Sequence, residues 1–470
     1  MLEFSCALIK DSKNPIYLQL YEYIKEEIAA GRIESQTKLP SIRQLANYLQ
    51  ISRTTIETTY HQLMVEGYIN SKPKAGYFVN NINNIINVVK IHNVKDKENS
   101  NSPNKEVEYD FRNDYIDRES FDFNLWRKYL NKALLENNQR FLTYGSHQGE
   151  SELRAELAKY VHQSRGVICS PEQVVIGSGV QPLLNILCGI LKSHYQFIGF
   201  EEPGFKQARH IFKDHSFDLI PIKLDDDGVN VDFLAQSKAE IVYVSPSHQF
   251  PMGSVMSISK RVQLLNWAHA NNTLIIEDDY DSELRYSGRP IPSLQSLGEG
   301  SHVVYLGTFS KILLPSIRIS FMILPPNILS IYQTEKKKYN QTSSQIEQIA
   351  LSFFMREGML EKHIRKLRKI YARKNQLLIE TIEKTMGDKV KVMGTETGLH
   401  ILLELHSGYS PEEITLLAEK VGVKVIPLAN YFIGDSENKN PLVLLSYSGI
   451  PMEHIEPAIL LLNQIWFNSN

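Results

Sequence analysis

Cysteine is scarce in this chain: 470 residues carry three, Cys6, Cys169 and Cys188, an odd and unpatterned set. That argues against a disulfide framework or a zinc site and fits a reducing compartment. A dominant charge is also missing, since the formal net charge is −2. Any surface for nucleic acid must therefore be local and small. The start, MLEFSCALIKDSKNP, has no basic stretch leading into a long apolar core, so no secretory signal is expected. No apolar run reaches the length of a bilayer. The expectation is a soluble cytoplasmic protein with no metal and no membrane contact. Its 42% hydrophobic content is ample core material for two or three domains.

What is present begins with a helical stripe. Ile16, Leu20, Ile24 and Ile28 stand four apart, flanked by Tyr17 and Tyr21, until Gly31 stops the run. In TKLPSIRQLANYLQ, Ser41 with Gln44 forms a capping-box signal, and Ile42, Leu45, Ala46 and Leu49 give a buried face. Ser52 then caps RTTIETTYHQLMVEG, where Ile56, Tyr60, Leu63 and Met64 bury the helix. Two short helices around a tight turn have helix-turn-helix spacing. Gly67–Ile69 and Tyr77–Val79 read as two strands around KPKAG, a wing with a basic tip. Residues 12–80 thus form one domain. Residues 81–108, rich in Asn, Lys and Ser, read as a linker, although their IINVVKI core could form a strand or dock.

From residue 109 to 470, short apolar runs alternate with helical segments. VVIGSGV, FIGFEEP, IVYVSPS, LIIEDDY and HVVYLGTFS each end in polar residues. This alternation predicts an α/β fold, a mostly parallel sheet sandwiched by helices. Ligands bind such sheets at the carboxyl ends of the strands. Ser178, Glu202, Ser245, Asp278 and Lys311 fall at those ends. The last part, from about 345, carries LHILLEL, VGVKVIPL and PLVLLSYS and reads as a smaller C-terminal α+β domain.

The segment from Gly31 to Val79, with LPS-x-R-x-LA and SR-x-T, resembles a GntR-family winged helix-turn-helix. The resemblance implies double-stranded DNA as a partner. Ser41, Arg43, Ser52, Arg53, Thr54 and Thr55 lie where the family meets DNA, and Lys72 and Lys74 would let the wing grip a phosphate. The family's usual glycine before L-P-S is Gln36 here.

Residues 109–470 resemble a fold-type I aminotransferase, and the domain order is that of the MocR/GabR regulators. The resemblance implies pyridoxal 5′-phosphate (PLP) as cofactor. Lys311, in GTFSK, would be the Schiff-base lysine. Asp278, in EDDYD, would face the pyridine nitrogen, with Asp279 the adjacent alternative, and Tyr280 would meet the phenolic oxygen. Ser178, Gly179 and Val180 open a helix after a strand, which suits a phosphate; Thr308, Ser310 and Arg318 would complete the cup. Phe205, in EEPGF, stands where relatives stack an aromatic ring. Tyr144 matches a tyrosine that reaches the phosphate of the other subunit, which implies a homodimer.

The departures concern carboxylate binding. The arginine that holds a substrate carboxylate in aminotransferases is replaced by Leu444. Positions where GABA-sensing relatives carry arginines hold Gln207 and fall near Asn430, and the asparagine of N-P-x-G is Phe250. An ordinary α-amino acid or GABA is therefore disfavoured as ligand. Arg209 and His248 are nearby candidates for compensating contacts. The implied function is a PLP-dependent transcriptional regulator that senses a small-molecule effector, an amine, an amino acid or PLP itself. The alternative is an active aminotransferase with an appended DNA-binding module.

Overall fold

The stripe of Leu20, Tyr21, Ile24 and Ile28 is buried on one face of the helix Ile16–Ala29, and Ile16 is only half-buried. This is a computed structural model that describes residues 8–9, 14–81, 109–112, 115–286, 291–433 and 440–467. Apart from Asn81, the expected linker 81–108 lies outside the described residues, as do the first two residues of the expected domain 12–80. The chain divides into two units, Met1–Pro103 and Asn104–Asn470.

In the first unit the capping signals act as read. Ser41 Oγ accepts from the Gln44 amide, and Gln44 Oε1 accepts from the Ser41 amide, starting the helix Ile42–Leu49. Ser52 Oγ accepts from the Thr55 amide at 3.1 Å and starts the helix Arg53–Val65. That helix buries Ile56, Thr59, Tyr60 and Leu63. Thr59 is tolerated inside because its hydroxyl donates to the carbonyls of Thr55 and Tyr17. The Tyr60 hydroxyl donates to the Pro40 carbonyl at 2.9 Å, and its ring meets Tyr77 edge-on. One side chain thus ties the helix to the preceding loop and to the wing. The wing pairs Ile69–Lys72 with Gly76–Val79 antiparallel, in the register Ile69 opposite Val79.

Gln36 sits at φ 62°. The left-handed region costs an L-residue about 1–2 kcal/mol, which glycine escapes at an entropic cost of its own. Gln36→Gly is therefore expected to stabilise the first unit by about 0.5–1 kcal/mol. A calorimetric midpoint that stays put or falls would contradict this.

The second unit is built on an eight-stranded sheet. Its order is Val174–Gly177, Ser320–Ile323, Val303–Thr308, Leu274–Asp279, Ile241–Val244, Phe197–Glu202, Asp218–Asp225 and Gly228–Val229. The strands from Val303–Thr308 to Asp218–Asp225 run parallel. Ser320–Ile323 runs against both its neighbours. Ile276, Leu306 and Tyr243 pack on one face with the helices Val180–Leu191 and Lys206–Asp214. Ile275, Val242 and Val303 pack on the other with the helix Ile258–Asn271. Burial on both faces is why these strands read as continuous apolar runs.

A four-stranded antiparallel sheet follows, ordered Val390–Met393, His400–Leu405, Leu442–Ser446 and Ile426–Pro427. The run VGVKVIPL is divided: Val423–Lys424 pairs with Tyr109–Asp110, and Ile426–Pro427 joins the smaller sheet. Among the described residues, no helix is long and apolar enough to cross a membrane.

Candidate functional sites

In the first unit the two helix starts carry the surface that the sequence marks for DNA. Arg43 and Arg53 lie in the first turns of their helices and are exposed, as are Ser41, Ser52 and Thr54. Neither first turn holds an acidic residue. Open amide groups and a positive helix end at each start favour an anion there. The Ser41 and Ser52 hydroxyls are already engaged in capping, and Thr55 Oγ1 lies 2.8 Å from Ser52 Oγ. The two arginines and Thr54 therefore offer the more open donors. Lys72 and Lys74 are exposed on the wing, and the Lys72 ammonium lies over the Phe78 ring at 4.7 Å.

In the second unit, at the carboxyl edge of the parallel strands, lies a cavity of about 340 Å³. Gly179, Val180, Phe205, Asp278, Tyr280, Thr308, Ser310, Lys311 and Arg318 line it, joined by Gln181, Gln207, Phe250, Ile426 and Tyr431. Two residues assigned to the cofactor from the sequence are not in the lining. Ser178 donates its amide to Thr342 Oγ1 at 3.0 Å. Tyr144 is fully exposed.

The anion end is a cradle. Gly179, at φ 115°, precedes the helix Val180–Leu191, whose first amides have no acceptor within the helix. A Cβ at Gly179 would lie 2.4 Å from an Arg318 guanidinium nitrogen, and φ 115° is backbone that L side chains rarely adopt, so glycine lets the arginine approach without strain. Thr308 Oγ1 accepts from Ser320 Oγ at 2.7 Å and from the Ser310 amide at 3.2 Å. These contacts aim the Thr308–Lys311 turn at the cavity.

The strand Leu274–Asp279 separates the two adjacent aspartates by alternation. Asp278 lines the cavity. Asp279 faces away, accepting from Arg165 Nε at 2.8 Å and from the Tyr305 hydroxyl at 2.6 Å. Asp278 Oδ2 accepts from the Tyr243 hydroxyl at 2.5 Å. Its Oδ1 is buried and has no hydrogen-bond partner among the described residues. Burial pushes the Asp278 carboxyl up to about 7, against the Tyr243 hydrogen bond that lowers it. An orphaned acceptor of this kind fits a ring N–H donor, and the Gly179–Arg318 cradle fits a phosphate. The residues present thus fit PLP.

Beside them the Tyr280 hydroxyl lies 2.9 Å from His248 Nδ1, which lies 2.7 Å from Asp281 Oδ2. Burial raises the Tyr280 phenol well above its ordinary range. His248 is thus held within this group. A Cβ at Gly398 would collide with the His248 ring. Arg209 is committed elsewhere too. It donates to the carbonyls of Tyr431, at 2.8 Å, and Glu201, and pairs with the Glu202 carboxylate at 2.8 Å. The Gly204 amide also donates to the Tyr431 carbonyl, and Glu202 Oε1 accepts from the Ile433 amide. Segment 428–433 is thereby clamped to the loop after Phe197–Glu202.

Sequence reasoning missed Ile426 and Tyr431 as cavity walls and the ion pair behind Asp279. The apolar position Ile426 and the aromatic Tyr431 stand among ordinary core residues, with nothing local to mark them. The acidic run EDD was visible, but the strand's alternation was needed to send its two aspartates to opposite faces.

Residues 16–79 match the family model for bacterial regulatory proteins of the gntR family, and residues 112–437 that for aminotransferase class I and II. The chain is 42% identical over 465 residues to the HTH-type transcriptional regulator YhdI of Bacillus subtilis, covering 99% of this chain and 98% of that one. It is 30% identical to a Rhizobium meliloti protein named "Probable rhizopine catabolism regulatory protein MocR", covering 96% and 94%. Pyrococcus horikoshii kynurenine aminotransferase, solved in complex with PMP, superposes with a TM-score of 0.70 at 27% identity, over 77% of this chain and 91% of that one.

Proposed function

We propose, from the premise that this chain belongs to the MocR-type regulators, a GntR helix-turn-helix followed by an aminotransferase class I and II domain, that its cavity serves as a PLP-based sensor. The chain is an HTH-type transcriptional regulator with an aminotransferase-like domain. Its second domain is of a PLP-dependent family. The finer reading assigns PLP to Lys311 and a small-molecule effector to the remaining space. One observation carries it: the unpartnered Asp278 oxygen, the Lys311 turn and the Gly179–Arg318 cradle converge on one cavity.

PLP, when bound, supplies an aldehyde that a primary amine captures reversibly and an electron-poor ring. Lys311 provides the protein's own amine. Asp278 holds a proton on the ring nitrogen. Arg318, Thr308, Ser310 and the amides of Gly179 and Val180 anchor the phosphate. Tyr280 offers its hydroxyl to the phenolic oxygen, oriented by His248. Phe205 covers the ring.

An effector must favour one arrangement of the protein over another, or DNA binding does not change. A homodimer would set two winged helices on repeated half-sites. The exposed Leu135, Leu142 and Tyr144, close in sequence, support such a contact, and Tyr144 would then complete the partner's phosphate site.

Two tests follow. Titration of the full chain with PLP should show saturable uptake with a new visible absorbance band, and retardation of its upstream DNA should change when an effector amine is added. No uptake removes the sensor reading. Separately, Arg43→Ala and Arg53→Ala should each weaken DNA binding by about 1–3 kcal/mol if they read a base, or lower the salt slope by about 1 if they meet a phosphate. Unchanged affinity and slope would take those arginines out of the interface.

A further inference from the structure

We infer that the effector is a primary amine with an apolar, preferably aromatic, body and no carboxylate. This rests on the reading of the cavity as a PLP site. Among the described residues, the lining contains two cations, Lys311 and Arg318. Both are committed in that reading, Lys311 to the aldehyde and Arg318, against Gly179, to the phosphate.

The wall that remains is aromatic and aliphatic. Phe250 meets Tyr431 edge-on at 5.0 Å, Tyr280 at 6.0 Å and Phe205 at 6.3 Å. Behind it lies an apolar cluster of Leu402, Leu428, Leu442 and Leu444, against which Phe250, Ile426 and Tyr431 pack. Leu444 is fully buried, between Leu402 and Ile426 on the neighbouring strands. The cation behind this wall, Arg209, is bound to Glu202 and to the Tyr431 and Glu201 carbonyls. It holds the wall in place and does not line the cavity.

A carboxylate brought into this space would have to give up water and, among the described residues of the lining, would meet no opposing charge beyond the two already committed. An amine without a carboxylate brings no such group: its ammonium proton goes to water beforehand, and it enters as the neutral base. The incoming nitrogen forms the C=N bond to the carbon that Lys311 Nζ held. Nζ leaves as an amine, taking the two hydrogens that the incoming nitrogen sheds, and nothing is oxidised or reduced. Gln207 supplies one uncharged polar group in the lining, suited to a hydroxyl or amide on the ligand.

The test uses full-length protein loaded with PLP and matched pairs: 2-phenylethylamine against L-phenylalanine, and tyramine against L-tyrosine, with 4-aminobutyrate as a third arm. Half-saturation of the cofactor's absorbance change, and of the change in DNA retardation, should come at a concentration at least about tenfold lower for each amine than for its amino acid. Gln207→Arg, which places a cation in the wall, should narrow or reverse that preference. The inference is overturned if the amino acids or 4-aminobutyrate act as well as the amines. It is equally overturned if no amine perturbs the cofactor while PLP alone changes DNA binding. Failure of the underlying reading shows earlier and separately, as protein that takes up no PLP before any amine is added, and it overturns both.

Discussion

Replacing Lys311 with alanine is expected to abolish covalent capture of PLP: no visible band from the bound aldehyde, and no cofactor mass fixed by borohydride. The expectation follows from position. Lys311 is the lysine in the cavity lining, on the turn that Thr308 braces after the strand Val303–Thr308. The Arg318 cradle should survive the change, so weak non-covalent uptake remains. DNA retardation by the cofactor-free variant should match that of the cofactor-free parent, because the helices that carry Arg43 and Arg53 are held by the first unit's own core, from Leu20 to Val79 among the described residues. A normal spectrum and trapped mass in this variant would move the covalent site elsewhere.

Asp278→Asn should produce effects of opposite sign in the empty and loaded protein. In the empty chain, burial holds the carboxyl up at about 7 from an ordinary value of 3.8. The folded state then binds a proton that the unfolded state has released, so stability falls as pH rises from about 4 to about 7. Asparagine removes that loss. The midpoint of the empty variant should exceed the parent's at pH 8 and equal it near pH 3. In the loaded chain asparagine cannot balance a charged ring nitrogen. Losing one member of a buried charged pair costs about 3–5 kcal/mol, equivalent to a fall in PLP affinity of roughly two to three and a half orders of magnitude. Fluorimetric melts across pH and an equilibrium titration with PLP would read both effects. A variant that binds PLP as well as the parent would remove Asp278 from its assigned role.

Much of this was legible because local rules suffice for it. Ser41 and Ser52 announce their helices by chemistry that acts over three residues, and both cap as read. The alternation of apolar runs with helices gives the parallel sheet, and the strand ends give the edge where the cavity lies. Lys311 and Asp278 meet there although they belong to different strand ends. What local pattern does not encode is which distant segment closes the space. Ile426 and Tyr431 arrive from the smaller sheet and a following turn, far along the chain from Phe205 and Phe250. The support behind the site is equally non-local: Arg165 reaches Asp279, and Glu277 accepts from the Leu294 and Gln295 amides. Neither partner carries a mark in its own neighbourhood. Gln36 shows the converse, a residue whose identity hides the left-handed backbone that the usual glycine of the family would have advertised.

The carbonyl of Tyr431 takes two donors, from Gly204 and Arg209, while the same residue's ring forms part of the cavity wall. Backbone and side chain of one residue are therefore answerable to different parts of the fold. A guest that pushes the ring outward must either stretch those two bonds or drag the segment 204–209 along with it. Ligand bulk would thus be converted into mechanical load on a fixed anchor, and two guests of equal affinity but unequal girth would not have to transmit the same signal.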